Sequence, residues 1–166
     1  TFDLLLSFPA SEASHAISKM LPLFAVYAMT LLLTIPLALA IPGLSVTPGS
    51  FFSAGPFLAS YCMLLLFGLC LSSFTSYIAL RFSGTIVPIL ISSSLILIAD
   101  TIHALPSVIN LPASLSRLCA GASLAWHLDA SFRGIIDSRD IIFFICPTVV
   151  CIALSALRLV KVRVTE

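Results

Sequence analysis

The stretch Trp126-His127-Leu128-Asp129-Ala130-Ser131-Phe132-Arg133-Gly134-Ile135-Ile136-Asp137-Ser138-Arg139-Asp140 holds six ionisable residues, and the unbroken apolar run from Ile141 to Leu157 follows it at once. Upstream, Met20 to Leu80 contains no charged residue at all. A charged cluster set flush against such apolar runs must lie where water or partner charges reach it. It reads as the solvent-side mouth of a transmembrane bundle.

Composition agrees. Hydrophobic residues make up 60% of the chain, charged residues 9%, and the mean hydropathy is +1.17. A soluble domain carries about 25% charged residues, so the solvent for most of this chain is lipid. A net charge of +1 gives no attraction to nucleic acid. The five cysteines, Cys62, Cys70, Cys119, Cys146 and Cys151, form no CxxC pair. Four lie in apolar runs, where cysteine acts as a small hydrophobe, so no metal site or disulfide framework is suggested. The chain opens on Thr1 and is expected to be a piece of a longer product.

The pattern predicts an all-α integral membrane protein with four transmembrane helices. Residues 1–20 form a polar lead-in, whose part from Ala10 to Lys19 reads as a short helix with Ser11 at its N-cap and Glu12 in its first turn. The transmembrane domain occupies 21–166. Its first span, Leu21 to Ile41, is about 31 Å long. Pro22 suits a first-turn position, Pro36 is expected to kink the helix, and Pro42-Gly43 to end it. Leu44 to Pro56 is a turn-rich loop whose Phe51 and Phe52 dip into the interface. The second span is Phe57 to Leu80. Gly68, Ser72 and Ser76 lie on one of its faces, a spacing that lets another helix approach closely.

After the turn Arg81-Phe82-Ser83-Gly84, the third span runs from Thr85 to about Leu105. Asp100 and His103 share one face near its far end. An acid inside a membrane helix is a functional candidate; at the water boundary it is equally a solvated or locally paired residue. Residues 106–140 form an external loop in which Leu111 to Leu118 suggests an interfacial amphipathic helix. The fourth span is Ile141 to Leu157, and Arg158, Lys161 and Arg163 mark a cytoplasmic tail, 158–166. Lys and Arg set the orientation: Lys19, Arg81, Arg158, Lys161 and Arg163 fall on one side, and Arg117, Arg133 and Arg139 on the other with three aspartates. Both termini are therefore expected in the cytoplasm, with the polar stretch outside.

Within that stretch, Asp129 and Arg133 stand at i, i+4 with the acid first, the favourable order on a helix. Gly134 fits a helix end. Asp137 or Ser138 fits the cap of the last span, with Asp140 in its first turn. These charges either cap, pair and anchor, or they close a re-entrant pair of helices as an external gate. An acid–base pair of His127 with Asp129 is disfavoured, because side chains at i, i+2 diverge on a helix and no GxSxG or HExxH pattern accompanies them. His127 beside Trp126 reads instead as interfacial.

The residues His127, Phe132-Arg133-Gly134, Ile136-Asp137, Arg139-Asp140 and Phe143-Phe144 resemble the end of the permease subunits of type-2 ABC exporters, in their gliding-motility-associated branch. Leu128 stands where that branch has an aromatic. Thr1-Phe2-Asp3-Leu4-Leu5-Leu6-Ser7-Phe8-Pro9 with Ile17, Ser18 and Lys19 is similar to the family's cytoplasmic segment between its second and third spans, with Ser18 in place of a glycine. The resemblance implies the last four of six spans, with two more before Thr1. It implies coupling to the ATPase through Ser11, Glu12, Ser14, His15 and Lys19. It also implies an external gate built from His127, Asp129, Arg133, Gly134, Asp137, Arg139 and Asp140.

The implied partners are a separate ATP-binding cassette subunit, a second permease subunit (homodimer or heterodimer) and the lipid of a cytoplasmic (inner) membrane. No cofactor would be bound directly: ATP and Mg would sit on the partner subunit, in keeping with the lack of a Walker motif here. Two other classes fit the sequence. A non-transporting membrane anchor or scaffold would be separated by the absence of a co-purifying ATPase. A secondary-transporter fragment would be separated by ion-driven transport that persists without ATP.

Overall fold

The computed structural model describes residues 12–44, 54–82, 84, 86–104, 106 and 112–165, with the side chains of 12, 13, 41–44, 54, 103, 113, 120 and 162–165 excepted. Its helices are α1 (Glu12–Leu44), α2 (Ala54–Arg81), α3 (Ile86–Thr101), α4 (Ala113–Ala122), α5 (Leu124–Phe132) and α6 (Ser138–Thr165), with a 3-10 turn (Ile102–Ala104) after α3. There is no strand among the described residues. Among the described residues, three stretches are long and apolar enough to cross a membrane: Ser14–Ala40, Gly55–Arg81 and Ser138–Lys161. The chain is a membrane-embedded helical protein.

The largest departures of element boundaries from expectation are at Pro22, in the third span and at the end of the last helix. The lead-in helix and first span are one 33-residue helix, so Pro22 is an interior residue rather than a first-turn one. The backbone group that such a proline frees, here the Ser18 carbonyl, is tolerated in a membrane helix where neighbouring groups or local adjustment of the backbone re-satisfy it. The third span is shorter than expected: α3 has 16 residues, about 24 Å against a hydrocarbon core of about 30 Å, and the chain then tightens into the 3-10 turn. The last helix starts at Ser138 and continues to Thr165, taking in Arg158, Lys161 and Arg163. Leu, Arg and Lys are good helix formers, so nothing local stops it where the apolar run ends. Ser11, Phe51 and Phe52 lie outside the described residues.

α1 runs antiparallel to α2. The Tyr27 hydroxyl donates to the Leu64 carbonyl at 3.0 Å, and the Thr34 and Tyr61 hydroxyls meet at 3.0 Å. The Tyr27 ring fills the space left by the missing side chain of Gly68; a Cβ there would fall inside the ring. Ser72 and Ser76, on the same face of α2, are also buried. α6 lies along α2 in the same direction, with Gly134, just before α6, against Pro56 at the head of α2 and Phe67 edge-on to Phe144 further along. The buried cluster Met63, Cys70, Leu124, Leu128 and Phe144 joins α2, α5 and α6.

Candidate functional site

The polar stretch folds into a helical hairpin. α5 presents Leu124, His127, Leu128 and Ser131 inward, one face at helical spacing. Trp126, Asp129 and Arg133 point outward. At the end of α5 the Gly134 amide donates to the Ser131 carbonyl at 2.9 Å and the Ile135 amide to the Ala130 carbonyl at 3.1 Å. That pair of bonds is a Schellman motif, and it needs a left-handed residue at Gly134, whose φ is +83°. Gly134 also lies against Pro56 at the head of α2, so a side chain would collide there. The Ser60 hydroxyl of α2 shares its one proton between the Pro56 carbonyl of its own helix, at 2.8 Å, and the Ser131 carbonyl, at 3.1 Å. The turn is thus fastened to the first turns of α2.

The chain reverses through Asp137, whose carboxylate accepts the Arg139 amide at 3.1 Å and caps α6. Reversal brings the first turn of α6 beside the middle of α5. His127 Nδ1 then lies 2.6 Å from Asp140 Oδ1, with the two side chains only 3% and 5% exposed. The other ring nitrogen donates to the Gly121 carbonyl at the end of α4, at 3.0 Å. The ring stacks on Phe143 with centroids 3.9 Å apart and an interplanar angle of 21°, and Trp126 and Phe144 stand edge-on to it. His127 is therefore a buried link among α4, α5 and α6. The interfacial assignment is corrected: its neighbour Trp126 is exposed, but the helix turns His127 to the opposite side.

The hairpin brings together the polar residues of the stretch in different ways. Asp129 and Arg133 form an ion pair at 2.7 Å on the outer surface, with side chains 61% and 72% exposed. A cleft of ≈ 330 Å³ runs between Trp126, Asp129, Arg133, Asp137, Arg139 and Asp140. A neighbouring groove of ≈ 470 Å³ is bounded by Trp126, Leu128, Asp129, Phe132 and Asp100. Asp100 is exposed near the end of α3, and its backbone carbonyl accepts the Ser123 hydroxyl at 3.4 Å. The side chain of His103 lies outside the described residues, so its pairing with Asp100 does too. Inward of the α4–α5 elbow, an apolar cleft of ≈ 710 Å³ opens between α2, α3 and α6, with Phe74, Leu95, Ala99, Leu124, Cys146 and Val150 among its walls.

The other candidate set lies at the opposite end of the bundle, because α1 is antiparallel to α2. There Ser14 and Lys19 are exposed, His15 is half-buried, and Ala16 and Met20 are buried between them. Ala16 and Met20 form one packed face of α1, which ties this end to the rest of the bundle. Glu12 is the first residue of α1, without a described side chain.

Sequence reasoning placed Asp140 in the first turn of α6 but missed its partner. The signal was present: with a helix reversal centred near Gly134, residues 127 and 140 stand almost equally far from the turn. Gly121 and Phe143 as contacts of His127 left no such signal, since a carbonyl and a stacking ring are fixed only by the packed elbow. No family model, curated protein or solved structure matches the chain.

Proposed function

We propose that the chain is the transmembrane permease part of an ATP-driven exporter of the type-2 ABC class, working with a separate ATP-binding subunit and a second permease subunit. The carrying observation is that the very residues of the resemblance, His127 through Phe144, close into one unit: a short helix turned back at Gly134 and bound to the head of a membrane helix by His127 and Asp140. α5 rises antiparallel to α2, from Leu124 in the Met63–Cys70 cluster to Ser131 beside Ser60. In this reading α3 serves as the third of four spans. Its shortfall in length is offset by α5 and the elbow, which fill the remaining depth above Asp100. Lipid-exposed irregular backbone is not tolerated at that depth, but a buried elbow is.

The same reading puts the first two turns of α1, with Ser14, His15 and Lys19, on the cytoplasmic face against the ATPase, and the α5–α6 hairpin on the outer face of the inner membrane. Energy from ATP and Mg bound by the partner would act on α1, which meets α2 and α6 directly. The test is a Ser14→Cys variant in a background without the native cysteines. Cross-linking of Cys introduced at Ser14 to a nucleotide-binding subunit, sensitive to ATP, is the expected result. Modification of that thiol by an impermeant reagent from outside intact cells would overturn the assignment.

A further inference from the structure

The bonds of His127 fix the number of protons at the site. A backbone carbonyl only accepts, so the nitrogen facing Gly121 carries a hydrogen. The other nitrogen and the Asp140 oxygen, 2.6 Å apart, must share a second. If the shared proton leaves, a nitrogen lone pair faces a carboxylate. If the remaining ring hydrogen moves across to Asp140, a lone pair faces the Gly121 carbonyl instead. Either way one of the two contacts that tie α5 to its neighbours is lost.

The surroundings make this proton exchangeable and specific. Asp140 forms part of the wall of the cleft shared with Asp129, Arg133, Asp137 and Arg139, so water there can accept the proton. Asp129 and Arg133 are paired with each other, and Asp137 caps α6. From α3 the charged group on this side is Asp100; from α4 the titratable groups are Arg117 and Cys119. α2 brings no charge between Ala54 and Leu80, only the buried Cys70 thiol in the adjacent core, and α6 adds Cys146. The imidazole itself is enclosed by Phe143, Phe144 and Trp126.

We propose that His127 and Asp140 form a proton-binding site whose occupancy decides whether α5 stays docked on the head of α6. The site depends on the hairpin geometry alone and not on the permease reading, so a failed transport or cross-linking assay leaves it standing. Loss of the proton with rising pH releases α5 while α1, α2 and α6 stay in the membrane.

The experiment is amide hydrogen exchange of the full chain in lipid bilayers, from about pH 5 to about pH 9, divided by the intrinsic rate at each pH. Protection of residues 124–132 is expected to fall about tenfold or more with rising pH while that of 57–80 holds. Trp126, the one tryptophan of the chain and an edge-on neighbour of His127, should change its emission over the same range. Asp140→Asn should stay docked and lose the step, because an amide N–H can donate to the ring nitrogen without a titratable proton. Ring 15N shifts of His127 in the wild-type chain need no variant: a proton lost in step with α5 supports the site, and shifts constant through the step overturn it. Parallel protection of α5 and α2 across the range, or an undiminished step in Asp140→Asn, also overturns it.

Discussion

α1 and α5 solve opposite problems. α1 has 33 residues, almost all apolar, and its most apolar stretch buries none of them against the rest of the described chain. Leu21, Val26, Met29, Leu32, Leu33 and Leu37 face outward. α5 has nine residues, carries both a histidine and an aspartate, and buries four of the nine. In water this would be inverted. In lipid an apolar side chain gains little by leaving one hydrocarbon for another, so helices associate through close approach and polar contacts. The contacts that hold this bundle are of that kind: Tyr27 over Gly68, Thr34 with Tyr61, Ser60 on Ser131, and His127 on Asp140. Among the buried hydroxyls, those of Ser72, Ser73, Ser92, Thr148 and Ser155 each donate back to their own helix, while those of Ser76 and Ser131 have no partner among the described residues. Small polar residues are buried here beside Met63 and Phe144, the largest fully buried side chains, so hydropathy alone does not sort inside from outside.

The sharpest way to break that comparison is to remove one atom set from each helix. Asp140→Ala leaves His127 buried with one ring nitrogen unanswered, and removing one member of a buried pair costs roughly 3–5 kcal/mol. Leu33→Ala, on the outward face of α1, should stay within about 0.5 kcal/mol, as surface substitutions do. Reversible unfolding in mixed micelles, followed by Trp126 emission, measures both. Equal losses for the two variants would mean that α1 is covered by protein in the measured state and that its outward face is an interface.

A smaller effect is expected at the joint between the two long helices. Gly68→Val forces a side chain into the Tyr27 ring, and overpacking of this kind costs about 1–3 kcal/mol. Tyr27→Ala in the same chain should recover part of the loss by opening the space, although the bond to Leu64 goes with it. A double-mutant cycle reads this as a coupling between the two positions. Strict additivity would show that α1 does not rest on α2 through this contact.

The long helices were legible from the length of their apolar runs, because about twenty consecutive apolar residues match the thickness of a bilayer core. Gly134 as a helix end and Asp137 as a cap were legible because both are local: each depends on residues within one turn. Gly68 was legible as a site of close approach, though not the ring that occupies it. Boundaries were less so. Pro22 and the charges at Arg158 and Lys161 looked like ends because they break the apolar pattern, whereas a membrane helix tolerates an interior proline and backbone bonding does not register charge. The His127–Asp140 pair was the harder one to read, because its signal is long-range: it depends on where the chain reverses. The partners stand thirteen positions apart in the chain, and the reversal at the left-handed Gly134 sets them face to face. Asp129, also an aspartate and two residues from His127, points to the other side of the same helix.

That contrast between the two aspartates frames the smallest expected effect. Sequence alone left Arg133→Ala with two outcomes, slight if its pair with Asp129 is exposed and large if it is buried. Both side chains are mostly exposed, so the loss should be about 0–1 kcal/mol. The turn does not need the pair: backbone bonds to Ala130 and Ser131 and the contact of Gly134 with Pro56 hold it without Arg133. Salt separates the two aspartates further. The Debye length falls from about 10 Å at 0.1 M to about 3 Å at 1 M, so whatever Arg133 contributes should vanish at high salt while the loss in Asp140→Ala persists. The two variants are compared in the same unfolding assay at both salt concentrations. If Arg133→Ala matches Asp140→Ala at 1 M salt, the outer pair is shielded from water in the bilayer, and closure of the hairpin would belong to Asp129 and Arg133 as much as to His127 and Asp140.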